Sequence, residues 1–359
     1  MLASLYKKEK DGLRCRACAR RCLISEGKTG FCGVRRNDGG RLFLSVGSVF
    51  AHVDPIEKKP LYHFLPGSEI FSIGSLGCNF RCGFCQNFEI SQASPAGALA
   101  KAGGGVGGEP AFASLRPASP ELQRGERGEP EWPPERVAEF CREKKIPAIA
   151  FTYNEPTIFS EYAVAVMKEA KKFGLRGVFV SNGYETPEAL DFLAPFIDAY
   201  NIDLKSFSEK FYQKNCGASL APVLATLKEI YQRKKWLEIT TLLIPGENDS
   251  EAEIKKAAEF IVALSPNIPW HLSAFFPTYK MQDKSPTPPE TLSRAYEIGK
   301  KAGLNYVYTG NITDDEQSRT VCPKCGEILI ERQGFSVKKI KIKNGRCPKC
   351  GLEIAGVWE

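Results

Sequence analysis

From residue 71 onward, short, nearly continuous apolar runs alternate with longer amphipathic stretches. The runs are FSIGSLG (71–77), AIAFTY (148–153), GVFVSN (177–182), AYNIDLK (199–205), WLEITTLLIP (236–245), WHLSAF (270–275) and YVYTGNI (306–312). Their length and β-branched or aromatic content predict strands; the stretches near 134–145, 157–173, 187–196, 221–234, 250–264 and 289–302 predict helices. Strands apolar on both faces and separated by helices make a parallel sheet covered on both sides, an α/β fold of repeated strand–helix units. An open sheet and a barrel both fit this pattern.

Polar residues collect where these strands end: Asn154 and Glu155, Ser181 and Asn182, Asp203 and Lys205, Thr309 and Asn311. In either architecture the C-terminal ends of parallel strands carry the chemistry, because the loops converge there. One stretch breaks the alternation. Residues 91–132 are rich in Gly, Pro, Ala and Ser, and such a composition buries too little apolar surface to offset its ordering entropy. Disorder is expected over about 95–130.

The chain of 359 residues is 43% hydrophobic and 25% charged, which suits a globular protein with one main domain and small appendages. No run of eighteen apolar residues is present and the first residues are too polar for a signal peptide, so the expected location is the cytoplasm, with no membrane association. The net charge of +7 permits a nucleic-acid partner without arguing for one.

Cysteine changes the picture most. Eleven of the thirteen fall in three clusters, and in a long chain with this spacing they point to metal rather than disulfides. Cys141 and Cys216 stand alone and read as ordinary thiols. The central cluster, GCNFRCGFCQNFEIS (77–91), offers Cys78, Cys82 and Cys85 and no fourth. Three thiolates can hold three irons of a [4Fe–4S] cube and leave the fourth iron open to a non-protein ligand. The competing reading is a zinc site completed by one of only three histidines, His52, His63 or His271.

With the aromatic Phe84 between its last two cysteines, this array resembles the cluster motif of the radical S-adenosylmethionine superfamily. The string CNFRCGFCQN is similar to the branch of glycyl-radical activases that includes the pyruvate formate-lyase activating enzyme. DPIEKKPLYHFLPGS (54–68), CQNFEISQ (85–92), FTYNEPTIFSEY (151–162) and NIDLKSF (201–207) resemble the AmmeMemoRadiSam-system radical enzymes.

The resemblance implies a partial (βα)6 barrel over about 70–318, preceded by a cysteine-rich segment (1–69) and followed by a small metal domain (319–359). It further implies a [4Fe–4S] cluster whose open iron takes S-adenosylmethionine, a 5′-deoxyadenosyl radical that abstracts hydrogen from an unidentified protein or small-molecule substrate, and a reductant such as flavodoxin or ferredoxin. Asn154 and Glu155 stand where the superfamily meets the methionyl ammonium, with YN in place of the usual glycines. Ser181, Asn182, Asp203 and Lys205 stand where related activases hold the ribose and methionyl carboxylate, and His271 is a further cofactor-binding candidate. Two plainer readings compete: Glu155 caps a helix, and Asp203 and Lys205 pair with each other.

Two outer clusters remain. Cys322, Cys325, Cys347 and Cys350 form two CPKCG knuckles, the pattern of a zinc ribbon; its lysine-rich SVKKIKIKNGR (336–346) is also suited to nucleic acid. Cys15, Cys18, Cys22 and Cys32 make a C-x2-C-x3-C-x9-C array that suits zinc or an auxiliary iron–sulfur cluster. Three functions stay in view: a hydrogen-abstracting radical enzyme, a glycyl-radical activase, and a zinc-ribbon binding module on a degenerate barrel. A binding module has no use for an open cluster ligand, which favours the enzyme.

Overall fold

Each apolar run forms a strand and each amphipathic stretch a helix, with ends trimmed by a few residues. The computed structural model describes residues 1–46, 50–92, 132–312 and 316–359. The insertion expected over about 95–130 lies outside these residues. The chain divides into two compact units: Met1–Asp54, Ile70–Arg81 and Cys85–Asp198 in the first, and Pro55–Glu69, Cys82–Phe84 and Ala199–Glu359 in the second.

The first unit starts with β1 (Tyr6–Glu9), β2 (Gly12–Cys15) and β3 (Leu23–Ile24), an antiparallel sheet, followed by the hairpin of β4 (Arg35–Asp38) and β5 (Arg41–Leu44). Gly39 and Gly40 take φ of +58° and +65° at the hairpin turn, the left-handed pair that a two-residue turn demands. After β6 (Phe50–Pro55) come three parallel strands: β7 (Glu69–Gly74), β8 (Ala148–Phe151) and β9 (Arg176–Ser181). All four residues of β8 are buried, as a strand covered on both faces requires. The helices α1 (Pro134–Glu143), α2 (Ser160–Ala170) and α3 (Pro187–Leu193) belong to this unit. Proline opens α1 and α3, where its missing N–H costs nothing, and the Thr186 hydroxyl caps α3 by accepting from the Ala189 amide at 3.1 Å.

An ion pair fastens the N-terminal hairpin to α2. The Arg35 guanidinium donates to both Glu161 oxygens, at 3.0 and 2.5 Å, and its Nε donates to the Ile158 carbonyl at 2.9 Å. The amides of Ser4 and Leu5 also donate to Glu161. Burial alone would raise the Glu161 carboxyl, yet Arg35 and these amides hold it below the ordinary carboxylate range.

In the second unit, β10 (Ala199–Asp203), β11 (Trp236–Leu243), β12 (Trp270–Ala274) and β13 (Val307–Gly310) are parallel neighbours in that order. Between them in sequence run α4 (Leu220–Gln232), α5 (Glu251–Leu264) and α6 (Pro289–Ala302). The tail adds β14 (Thr320–Val321), β15 (Ile328–Gln333) and β16 (Ser336–Ile340), an antiparallel sheet. Strand–helix repetition with mostly parallel pairing is the α/β organisation that the sequence pattern predicts. Among the described residues, no helix is long and apolar enough to cross a membrane.

The tail shares a core with the rest of its unit. Cys322, Leu329, Ile330, Cys347 and Ile354 cluster with Tyr62, Tyr306 and Tyr308. The Arg332 guanidinium, buried to 3% exposure, donates to the carbonyls of Tyr62 and Ser318 and lies 4.1 Å from the Tyr62 ring. His63 joins in through Nδ1, 2.7 Å from the Ala355 carbonyl oxygen, and Nε2, 2.6 Å from the Tyr308 hydroxyl. Burial drives the His63 pKa down to about 4, so the ring is neutral near pH 7.

Candidate active site

Cys78 follows β7 in a loop that tolerates no side chain at Gly77. This glycine has φ of +83°, and a Cβ there would stand 2.3 Å from the Cys32 carbonyl oxygen. The loop is laced to the end of β8. Asn154 Nδ2 donates to the Gly77 carbonyl at 2.6 Å, and Asn87 Nδ2 to the Tyr153 carbonyl at 2.6 Å. Tyr153, at a left-handed φ of +71°, is tethered by its hydroxyl to Asp54. Polar groups reach two of the sulfurs: the Phe80 amide donates to Cys78 Sγ at 3.3 Å, and Ser91 Oγ lies 3.1 Å from Cys85 Sγ.

At the ends of β8 and β9 lies a buried acidic pair. Glu155 Oε1 accepts from the Thr157 amide at 3.0 Å, the Thr157 hydroxyl at 2.5 Å and the Ser181 hydroxyl at 2.9 Å, while Oε2 accepts from the Asn182 amide at 2.8 Å. Glu185 lies within reach of the same two hydroxyls, 3.1 Å from Thr157 Oγ1 and 2.6 Å from Ser181 Oγ. Each hydroxyl has one proton to offer two carboxylates. Burial, and then the neighbouring Glu155 charge, push Glu185 up to about 7; burial raises Glu155 as well.

Sequence reading missed Glu185, although "SNGYE" placed a second acid four residues past Ser181. Its loop also pairs with the N-terminal cysteine segment: Cys18 bridges Glu185, and the Ala19 amide donates to the Tyr184 carbonyl at 2.8 Å.

This pair yields a pH prediction. The unfolded chain releases the Glu185 proton near the ordinary carboxylate value, whereas the folded chain keeps it to about pH 7. The folded state therefore binds the extra proton between those values, and its stability falls as pH rises through them. Melting of the metal-free protein should drop from pH 5 to pH 8, and Glu185→Gln should flatten that drop. A wild-type melting temperature that rises over this range would contradict the assignment.

In the second unit, the backbone of Gly83 bonds to Asn215 and Lys280, each at 2.9 Å, and so fixes the segment of Cys82 and Phe84. The Lys205 ammonium lies 2.7 Å from Asp203 and 5.8 Å from the Phe84 ring centroid. Lys205 and Asp203 thus form the pairing the sequence allowed. Burial opposes the Lys205 charge, but Asp203 and the thiols of Cys82 and Cys216 hold its pKa well above the ordinary value.

Cys216, which sequence reading set aside as an ordinary thiol, is wholly buried and hydrogen-bonded to Cys82. That bond, helped by Lys205, depresses the Cys82 thiol against the effect of burial. His271 has a different occupation. Its Nε2 lies 2.6 Å from Glu238, which also accepts from the amides of Tyr62 and His63 and from Trp236 Nε1.

At the C-terminus, Cys322 Sγ and Cys350 Sγ lie 3.6 Å apart, Cys325 Sγ and Cys347 Sγ 3.7 Å, and all four sulfurs fall within 4.8 Å of one another. Tetrahedral coordination at the usual zinc–sulfur length puts sulfurs about 3.8 Å apart, so the set fits a single ion. Each knuckle closes on a left-handed glycine, Gly326 at +71° and Gly351 at +73°. Because two of these cysteines share the tyrosine core, metal removal by a strong chelator should lower the melting temperature by several degrees with loss of one ion per chain, measured by metal analysis beside calorimetry.

The profile of the radical SAM superfamily matches residues 72–260. The uncharacterized protein MJ0808 of Methanocaldococcus jannaschii is 37% identical over 358 residues, spanning 98% of each chain. The isethionate sulfite-lyase activating enzyme of Oleidesulfovibrio alaskensis is 23% identical over 128 residues, 34% of this chain and 41% of that enzyme. A solved domain of the pyruvate-formate lyase-activating enzyme of Bacteroides vulgatus overlays with a TM-score of 0.40 at 22% identity, covering 45% of this chain and 98% of that domain. More than half of the chain, running from the strand that delivers Cys78 through Glu155 and Lys205, matches one family, and the protein belongs to the radical SAM superfamily of enzymes that use radical chemistry.

Proposed function

We propose that Cys78, Cys82 and Cys85 hold the [4Fe–4S] cluster that the superfamily requires and that the enzyme cleaves S-adenosylmethionine to abstract hydrogen from a substrate. The observation that carries this reading is a three-cysteine loop, with polar contacts at the sulfurs of Cys78 and Cys85, at the C-terminal end of the first parallel strand of the matched region. When bound and reduced, the cluster supplies the one electron that breaks the C5′–S bond and yields methionine and a 5′-deoxyadenosyl radical.

The chain's own residues prepare the surroundings. Lys205 is a buried cation beside Cys82 and Phe84, suited to the methionyl carboxylate, with Asp203 as its counter-ion. Glu155 has no exposed surface and both its oxygens are occupied. We assign it to positioning Ser181 and Asn182 rather than to direct contact with the ammonium. His271 is spent on Glu238 and is left out of the cofactor site.

The activating enzymes among the relatives favour a macromolecular substrate, with glycyl-radical formation as the second reading. A flavodoxin- or ferredoxin-type reductant supplies the electron, the C-terminal cysteines bind structural zinc, and the setting is cytoplasmic. Incubating reconstituted, reduced enzyme and S-adenosylmethionine with candidate partner proteins tests the reading. Partner-dependent growth of 5′-deoxyadenosine supports it, and a carbon-centred radical signal on the partner selects the activase reading. Cleavage that no protein or small-molecule candidate stimulates counts against a hydrogen-abstracting role.

A further inference from the structure

The two outer cysteine sets are built differently. At the C-terminus four sulfurs crowd to within 4.8 Å of one another; at the N-terminus, no three of the Sγ atoms of Cys15, Cys18, Cys22 and Cys32 do so, among the described residues. These four side chains instead line one small cavity of about 10 Å³, together with Arg35 and Asn79. A single tetrahedral ion needs sulfurs about 3.8 Å apart and leaves no space between them. Thiolates that ligate separate irons of a cluster stand further apart than those around one ion, and the sulfur spacing, not the volume of the cavity, is what separates the two sets.

Asn79 supplies an independent observation. It is wholly buried, its Oδ1 accepts from Asn182 at 2.7 Å, and its Nδ2 has no hydrogen-bond partner among the described residues. A buried donor left without a partner destabilises the fold unless an acceptor meets it. Thiolates are such acceptors around either kind of metal group, and a cluster alone adds bridging sulfides as further acceptors. The cavity also adjoins the Cys78 loop on both sides of that cysteine: Asn79 lines it, and the Cys32 carbonyl lies against Gly77.

We infer that Cys15, Cys18, Cys22 and Cys32 bind a second, polynuclear iron–sulfur cluster, and that it serves as a one-electron carrier beside Cys78. The carrier role rests on the function proposed above; the identity of the bound group does not. The test is anaerobic reconstitution of the full-length Cys78→Ala, Cys82→Ala, Cys85→Ala variant with iron and sulfide, followed by metal analysis, Mössbauer spectroscopy, and EPR after dithionite reduction.

About two to four irons per chain are expected to remain, in a cluster that takes up one electron, beside one zinc at the C-terminus. A variant that holds no iron and two zinc ions overturns the inference, and a cluster that dithionite leaves unreduced overturns the carrier role. The C-terminal zinc reports that the variant has folded. Should it not fold, the wild type carries the test: iron in excess of one [4Fe–4S] cluster supports the inference, and iron for one cluster only overturns it. Intact S-adenosylmethionine in the loaded wild type would sink the proposed function and leave the second cluster standing.

Discussion

Replacing Cys78, Cys82 and Cys85 together with alanine is expected to abolish reductive cleavage of S-adenosylmethionine, a loss of more than about 1000-fold, because ligands that act as a unit fail as a unit. The C-terminal ion should be retained. Cys216 sharpens this prediction, since it places a fourth thiol against Cys82. If Cys216 were a cluster ligand, no iron would be open to the cofactor. Cys216 is instead a buried, inert thiol whose hydrogen bond favours the Cys82 thiolate. Cys216→Ala should therefore keep the cluster and keep cleavage within about tenfold, whereas loss of the cluster in that single variant would assign Cys216 a ligand role.

The second large effect is on stability. Arg35→Met should cost about 3–5 kcal/mol, because it strands the buried Glu161 carboxylate without its partner. Glu161 also holds the Ser4 and Leu5 amides, so replacing both charges at once would orphan those donors and would not restore the loss in full. The sign of the pH dependence follows from the depressed Glu161 pKa. The contribution of the pair is fully present above the ordinary carboxylate range and disappears as pH falls through the lower folded value. Chemical denaturation at neutral pH and at pH 3 checks both points: the wild type and Arg35→Met should differ most at neutral pH and converge in acid. A variant as stable as the wild type at pH 7 would contradict this reading of the pair.

Much of this was legible in the chain itself. Apolar runs such as AIAF mark strands because a strand buried on both faces admits nothing else, and the prolines that open α1, α3 and α6 mark helix starts through their fixed φ. The knuckle spacing of CPKCG was equally readable, since ligand geometry is local there. Contacts between residues distant in sequence were not. Glu185 meets Glu155 only because adjacent strands place their ends side by side, and Cys216 meets Cys82 across 134 positions that no periodicity links. His271 shows the reverse case. As one of three histidines at a strand it drew functional interest, but its partner Glu238 lies one strand away at an inward-facing position, and the pair belongs to the core.

The proposed chemistry is one-electron cleavage of S-adenosylmethionine by the reduced protein. The most direct test is product analysis of the anaerobically reconstituted, dithionite-reduced wild type incubated with S-adenosylmethionine alone. 5′-Deoxyadenosine and methionine are expected in equal amounts, formed only with the cluster loaded and the reductant present. Recovery of intact S-adenosylmethionine from fully loaded, reduced protein would contradict it.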